Sequence, residues 1–240
     1  MDLVLQLRKE LATYGIPCSE EQGNLLVSYL DLVIEKNKVV NLTRISDPVE
    51  AVTLHLVDSL LPLSCDEITI RPEDSFLDMG TGAGFPGVPV AVLTGAQALL
   101  VDSVGKKVAA VEEFARQLRL TGVSTKHSRL EDLARMIPGS QDYVFARAVA
   151  QTNVLIEYAT PFLKQNGMLV VEKGRPEDSE LLEAERAAEI CGLALVSRET
   201  FELPRDLGHR EILLYRRVRK SKIKLPRKVG MAKNSPLGLK

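Results

Sequence analysis

The chain has no tryptophan, three cysteines and three histidines in 240 residues. Cys18, Cys65 and Cys191 are odd in number and far apart, and they form no CxxC pair. That excludes a disulfide framework and a thiolate metal site and leaves three buried apolar side chains as the expectation. His55, His127 and His209 are scattered, and HExxH does not occur, so no metal is expected. No apolar run approaches the roughly 20 residues that a bilayer span needs. The opening "MDLVLQLRKELATYG" puts Asp2 where a secretory signal wants positive charge and offers no small-residue cleavage site, so a cytoplasmic protein is expected. Gly-Lys-Ser and Gly-Lys-Thr are also missing. A P-loop would therefore lack its phosphate lysine and its metal-binding hydroxyl, and ATP hydrolysis drops out.

What is present is ordinary soluble usage, with 45% hydrophobic and 26% charged residues. The length suits one large domain, or one common domain with a smaller partner. The net charge of −1 conceals an asymmetry. From Arg216 to Lys240 there are ten Lys or Arg and no Asp or Glu, which leaves 21 basic against 32 acidic residues in the rest. Such a block points to a polyanion, against the plainer alternatives of a solubilising end or a tail folded back on the acidic body.

Residues 1–70 read as a helical region. Leu3, Leu7 and Leu11 share one helical face, as do Leu26, Leu30, Val33 and Ile34. In "DPVEAVTLHLVDSLLPL", Asp47 is placed to cap, Pro48 suits the first turn and Glu50 stands three residues after the cap. From Ser75 strands alternate with helices. The strands are "SFLDM", "QALLVD", "VSTKHS", "DYVFARAV" and "MLVVEKG", and a closing pair, "LALVSRETFEL" and "REILLYRRV", is placed to run antiparallel at the edge. Helices are expected over "VPVAVLTG", "SVGKKVAAVEEFARQLRLTG" as far as Gly122, "RLEDLARMIPG", "TNVLIEYATPFLKQNG" and "PEDSELLEAERAAEICG". The pattern predicts an α/β fold, doubly wound about a mostly parallel sheet that binds its ligand at the carboxyl ends of the strands. Residues 71–218 form that domain, and residues 219–240 a basic tail.

The glycines of "LDMGTGAGFPG" sit where backbone must approach a ligand. Taken alone, Gly80, Gly82, Gly84 and Gly87 are a weak dinucleotide signature. Asp78 narrows the choice, because a carboxylate before the loop meets a diphosphate unfavourably but suits a cationic ligand. Asp102 ends the second strand, where an acid accepts ribose hydroxyls. Together they suggest S-adenosylmethionine. The plainer reading makes Asp78 a turn residue and Asp102 a helix cap. Leu130 is placed to lie against an adenine and Glu131 to anchor a loop or a ligand amine, unless Ser128 and Glu131 form a capping box. Arg147 falls at the central crevice, and Lys173 ends the fifth strand as a second group for the substrate side. Phe85 and Phe145 are candidates for base stacking, although Phe145 reads as core and Phe85 as cofactor packing.

In this order, "NKVVNLTRI", "HLVDSL", "LDMGTGAGFPGVPVAV", "LVDSVGKK", "SRLEDLA", "VFARAVA", "MLVVEKG" and "KIKLPRKVGMAKNSPL" resemble the RsmG/GidB family of small-subunit rRNA guanine-N7 methyltransferases over residues 25–238. The resemblance implies a class I methyltransferase with a seven-stranded, Rossmann-like sheet that methylates N7 of guanine 527 in the 530 loop of 16S rRNA. It carries cofactor contacts onto Gly80, Phe85, Leu130, Glu131 and Arg147. It also suggests substrate-facing roles for "NLTRI", for His55 and for Arg219, Lys220, Lys222, Lys224, Arg227 and Lys228 of the tail. Met79 and Thr81 depart from the family's commonest wording without changing a glycine. Guanine N7 has an in-plane lone pair and no proton to lose, so no strong base is required and positioning carries the reaction, with Arg147 or Lys173 on the phosphate or the O6 edge. A monomer without an obligate protein partner is expected, acting on 16S rRNA or the small subunit. The competing readings are an NAD-dependent oxidoreductase, a non-catalytic RNA-binding protein and a small-molecule methyltransferase.

Overall fold

Short, near-continuous apolar runs give the central strands of a parallel sheet covered on both faces. In the computed structural model, which describes residues 2–239, the strands are β1 (Ser75–Met79), β2 (Gln97–Asp102), β3 (Val123–His127), β4 (Gln141–Arg147), β5 (Leu163–Lys173), β6 (Leu193–Glu202) and β7 (His209–Arg217). They form one seven-stranded sheet in the order β3-β2-β1-β4-β5-β7-β6. β1 to β5 are parallel, and β7 runs antiparallel to both β5 and β6. Strand order reverses between β1 and β4, so the crevice opens above their carboxyl ends, where such sheets bind ligands.

Side-chain alternation divides the core into two. One face carries Phe76, Leu100, Phe145, Val170 and Ile212 and packs against α1 (Leu3–Ala12), α2 (Glu20–Asn37), the helical run Pro48–Ser64, α5 (Gly87–Thr94) and α6 (Gly105–Gln117). That run holds α3 (Pro48–Ala51) and α4 (Asp58–Leu60), joined by a π-helical turn over Val52–Val57. The other face carries Leu77, Val101, Val144, Val171 and Leu213, covered by α7 (Leu130–Met136), α8 (Thr152–Ala159), α9 (Asp178–Cys191) and α10 (Met231–Asn234). Of the expected N-terminal stripes, Leu7, Leu11, Leu26, Leu30 and Val33 are fully enclosed, and Leu3 and Ile34 are partly buried against the same core. Ser19 and Gln22 close a capping box on α2, and Asp47 accepts the Glu50 N–H at 2.8 Å.

Three boundaries differ from the sequence reading. α6 stops at Gln117 instead of near Gly122, and Arg119 takes a left-handed φ of 54° just beyond its cap. α8 stops at Ala159, because Thr160 keeps helical angles but Pro161 after it has no N–H to carry the ladder on. β5 therefore begins at Leu163, with a register shift opposite Gln141 and Tyr143. Ser128 and Glu131 form no capping box: Arg129 is the N-cap of α7, with no side-chain bond to the helix.

The basic tail folds back on the acidic body. Lys222 pairs with Glu189 at 2.6 Å, and the backbone N–H groups of Val218 and Arg219 donate to Gly192. Arg227 forks onto the buried Glu157 at 2.7 and 2.5 Å. The Leu237 carbonyl accepts from Asn153 at 3.0 Å. Among the described residues no helix is long and apolar enough to cross a membrane, and no cluster of His, Cys, Asp or Glu is arranged to hold a metal.

Candidate functional site

The loop after β1 turns on glycines: φ is 70° at Gly80, 61° at Gly82 and 87° at Gly84, all in the left-handed region. Gly84 has a second reason to lack a side chain. A Cβ there would stand 2.0 Å from the Tyr29 hydroxyl, which donates to the Ala83 carbonyl at 2.7 Å. A Cβ at Gly87 would lie 2.8 Å from Asp78 Oδ2.

Asp78 is fully buried beneath this loop, with Oδ2 accepting the Thr81 hydroxyl at 2.6 Å and the Gly87 N–H at 2.9 Å. It therefore braces the loop from below instead of facing the crevice as a ligand contact, which is the turn role that the sequence left open. Burial lifts its carboxyl to about 6, against the pull of those two bonds and of Arg147. Asp102 closes β2, and its carboxylate accepts the Gly82 N–H at 3.0 Å and the Val104 N–H at 2.9 Å. Each carboxylate oxygen has lone pairs to spare, so both oxygens can also accept hydroxyls.

Two cavities meet at Gly80 and Ala148, the latter in a left-handed conformation (φ 54°) that is costly for a residue with a Cβ and clusters at functional sites. The smaller, about 330 Å³, has Asp102, Val101, Leu130 and Val149 on its walls, with Val229, Gly230 and Lys233 from the tail. Glu131 lies beside it and accepts the Gly230 N–H at 2.8 Å, which ties the tail over the cavity. The set fits S-adenosylmethionine. An apolar slot bounded by Leu130 and Val149 suits a purine, a carboxylate with free lone pairs suits a ribose, and Gly82, on the wall of the adjoining larger cavity, leaves open space where a side chain would intrude.

The larger cavity, about 740 Å³, opens toward the N-terminal helices. Arg147 donates to Asp58 at 3.1 Å and to the Leu54 carbonyl at 3.1 Å, and Arg210 grips the other Asp58 oxygen at 2.8 Å. Arg147 also stands 5.7 Å over the Phe85 ring, a cation–π distance. On that ring lies His55, 4.6 Å between centroids and 4° from parallel. His55 Nε2 is 2.8 Å from the Thr43 hydroxyl, and burial, with Arg147 beside it, drives its basicity down to about 3. The imidazole is neutral, so it offers shape and a hydrogen bond and no charge to phosphate. Lys173 reaches the rim but is paired with Glu180 at 2.6 Å and donates to the Ala150 carbonyl.

The fold thus gathers Gly80, Gly82, Phe85, Asp102, Leu130, Glu131, Arg147, His55 and Lys173 around one trough. Phe145 is fully buried in the core and cannot stack on a base. The tail cations expected to face the substrate lie apart from the trough. Arg219, Lys220, Lys222, Lys224 and Lys228 are exposed, whereas the Arg227 guanidinium is consumed by Glu157 and does not serve as a free cation. Sequence reasoning missed Asp58, Arg210 and Glu172. The signal for Glu172 was an acid inside the otherwise apolar "MLVVEK"; Asp58 and Arg210 left no local pattern, since they meet 152 positions apart.

The family model described as rRNA small subunit methyltransferase G matches residues 22–208. The Carboxydothermus hydrogenoformans protein named ribosomal RNA small subunit methyltransferase G is 33% identical over 97% of this chain and 99% of its own length. Its namesake in Desulfitobacterium hafniense is 36% identical over 93% and 92%. Among solved structures, a SAM-dependent methyltransferase from Aquifex aeolicus superposes with a TM-score of 0.54 at 17% identity, covering 72% of this chain and 94% of its own. Geranyl diphosphate C-methyltransferase from Streptomyces coelicolor, solved with S-adenosyl-L-homocysteine, gives 0.52 at 16% identity, with 68% and 78% covered. These two similarities speak for the fold.

Proposed function

The chain belongs to the rRNA small subunit methyltransferase G family, and from that premise we propose that it methylates N7 of guanine 527 in the 530 loop of 16S rRNA, in the cytoplasm. S-adenosylmethionine supplies an electrophilic methyl group on a sulfonium. The observation that carries the reading is the two-part trough at the switch point, a slot with a ribose-accepting carboxylate joined at Gly80 and Ala148 to a larger chamber lined with charge.

In this reading Asp102 holds the ribose and Leu130 and Val149 enclose the adenine. The Gly80–Gly84 turn bends around the methionine portion, while Asp78 keeps that turn in shape. Arg147, fixed by Asp58, Leu54 and Phe85, is held for the acceptor side. No group in the chamber is needed as a base, and the neutral His55 is consistent with that. Orienting two partners in line is worth on the order of 7–11 kcal/mol in favourable intramolecular systems, and a rigid Arg–Asp–Arg bridge is a means of holding one of them.

The exposed cations of the tail serve the RNA backbone. Lys220, Lys224 and Lys228 have no acidic partner among the described residues, which leaves them for phosphate, whereas Lys222 and Arg227 hold the tail to the body. Residues 1–70 stand as a helical region whose Thr43, Leu54 and His55 form the chamber's outer wall. Labelled-methyl transfer to small-subunit rRNA, followed by mapping of the modified base and atom, tests cofactor, substrate and chemistry together. Transfer to a base other than guanine, or to a small molecule in the absence of RNA, would overturn the proposal.

A further inference from the structure

Among the described residues Glu172 is the one acid of the trough that holds nothing. It sits at the carboxyl end of β5, paired in register with Arg147 on β4 and Ile212 on β7. It is 3% exposed and lines the larger chamber. Among the described residues neither of its carboxylate oxygens has a hydrogen-bond partner. A buried, unpaired carboxylate is costly, and buried polar groups are bonded in the great majority of cases. Its cationic neighbours are already engaged, since Arg147 and Arg210 both point at Asp58. Asp58 and Asp78 face it with the same sign as its own charge, and burial above all else keeps the Glu172 proton well above the ordinary carboxylate range. The group is set to receive hydrogen-bond donors from something that enters the chamber.

Resting on the guanine-methylation reading above, we propose that Glu172 selects the acceptor base, its two oxygens accepting the N1–H and a 2-amino N–H of the target guanine. Of the four RNA bases only guanine presents two adjacent N–H donors on its Watson–Crick edge. Adenine and cytosine put an acceptor beside their amino group, and uracil flanks its single N–H with carbonyls. Glu172 keeps its proton while the chamber is empty and gives it up to solvent as two N–H donors arrive; the resulting carboxylate offers acceptors only, so it rewards guanine and leaves a repulsive acceptor–acceptor contact with the others. Unstacked loop bases are read on this edge. The edge also suits the chemistry, because N7 lies on the opposite side of the purine and stays free. O6 lies between the two, within the province of Arg147, the strand neighbour of Glu172. Methylation at N7 leaves the purine cationic and makes N1–H a stronger donor. The contact therefore strengthens as charge develops, which is the condition for lowering a barrier instead of merely binding.

The test uses the full-length protein, Glu172→Gln, and small-subunit rRNA carrying either guanosine or inosine at the target position. Inosine keeps N7, O6 and N1–H and lacks the 2-amino group. The glutamine side chain keeps volume and cannot ionise, so thermal stability should hold or rise. The expected result has three parts. S-adenosylmethionine affinity of Glu172→Gln stays within about twofold by calorimetry. Its kcat/KM on guanosine RNA falls at least a hundredfold. The wild type prefers guanosine to inosine by at least tenfold, whereas the variant shows a preference of less than threefold. An unchanged guanosine-to-inosine ratio in the variant would overturn the proposal, since a structural role would slow both substrates alike. So would a tenfold or larger loss of cofactor affinity, which would assign the carboxylate to the methyl donor. If the wild type transfers no methyl to guanosine RNA, the guanine reading itself fails, and this arm separates the two failures.

Discussion

The acids on the cofactor side of the trough and those on the acceptor side are used in opposite ways. Asp78, Asp102 and Glu131 each accept a glycine backbone N–H, from Gly87, Gly82 and Gly230 respectively. Their charge is spent on holding main chain in place around the smaller cavity. On the other side Asp58 is clasped by two arginines from β4 and β7, and Glu172 is clasped by nothing. One half spends its acids on main chain and is shaped for a ligand that never varies. The other keeps a buried carboxyl that only an incoming group can satisfy, and that asymmetry is what one expects where a constant donor meets a base that must be chosen.

The contrast can be broken in several places. Arg147→Ala should have the largest effect. It leaves Asp58 buried with one partner, at about 3 kcal/mol of stability by urea denaturation, and should lower single-turnover methyl transfer by at least about a hundredfold. Asp102→Ala should leave the protein folded and weaken S-adenosylmethionine by on the order of a hundredfold in calorimetry, the worth of one or two charge-assisted hydrogen bonds. Unchanged affinity would remove Asp102 from the ribose role. Next comes Arg227→Gln, which strands Glu157 at 3% exposure. A loss of about 3 kcal/mol is expected, together with weaker cofactor binding as the Gly230 wall loosens.

Titration offers a subtler probe, because His55 and Asp78 give slopes of opposite sign. His55 is held near 3 against 6.5 when unfolded. Its contribution is present above pH 6.5 and is lost as pH falls toward 3. Asp78 is held near 6 against 3.8. The native state keeps a proton that the unfolded chain releases, so stability declines as pH rises through that interval. Urea midpoints between pH 4 and 6 should fall with rising pH in His55→Gln and climb more steeply in Asp78→Asn than in the wild type. The smallest effect is expected from Lys224→Ala, which should leave stability and cofactor binding alone and reduce the salt slope of RNA binding by about 0.7 to 1.

Much of this architecture could be read from local pattern. The alternation of short strand-like runs with helices located all seven strands, and Asp47, Pro48 and Gly95 marked helix ends through chemistry that acts over three or four residues. The glycine loop and Asp102 were legible for the same reason, since each sits at a strand end in a regular βα repeat. Side-chain competition was not legible. Nothing local says that Asp78 will turn beneath its own loop, that Glu131 will bond to a glycine 99 positions later, or that Arg227 will find Glu157. A count of positive charges in the tail overstates what is available to RNA, because charge in a sequence carries no information about which cations are already paired.

The tie between Glu131 and Gly230 has a consequence for how the protein is made. Val229, Gly230 and Lys233 leave the ribosome long after Asp102, Leu130 and Arg147, so a nascent chain holds its main site residues before it holds a closed slot for the methyl donor. A product cut short just before Val229 would keep the whole seven-stranded sheet and still leave one wall of that slot missing.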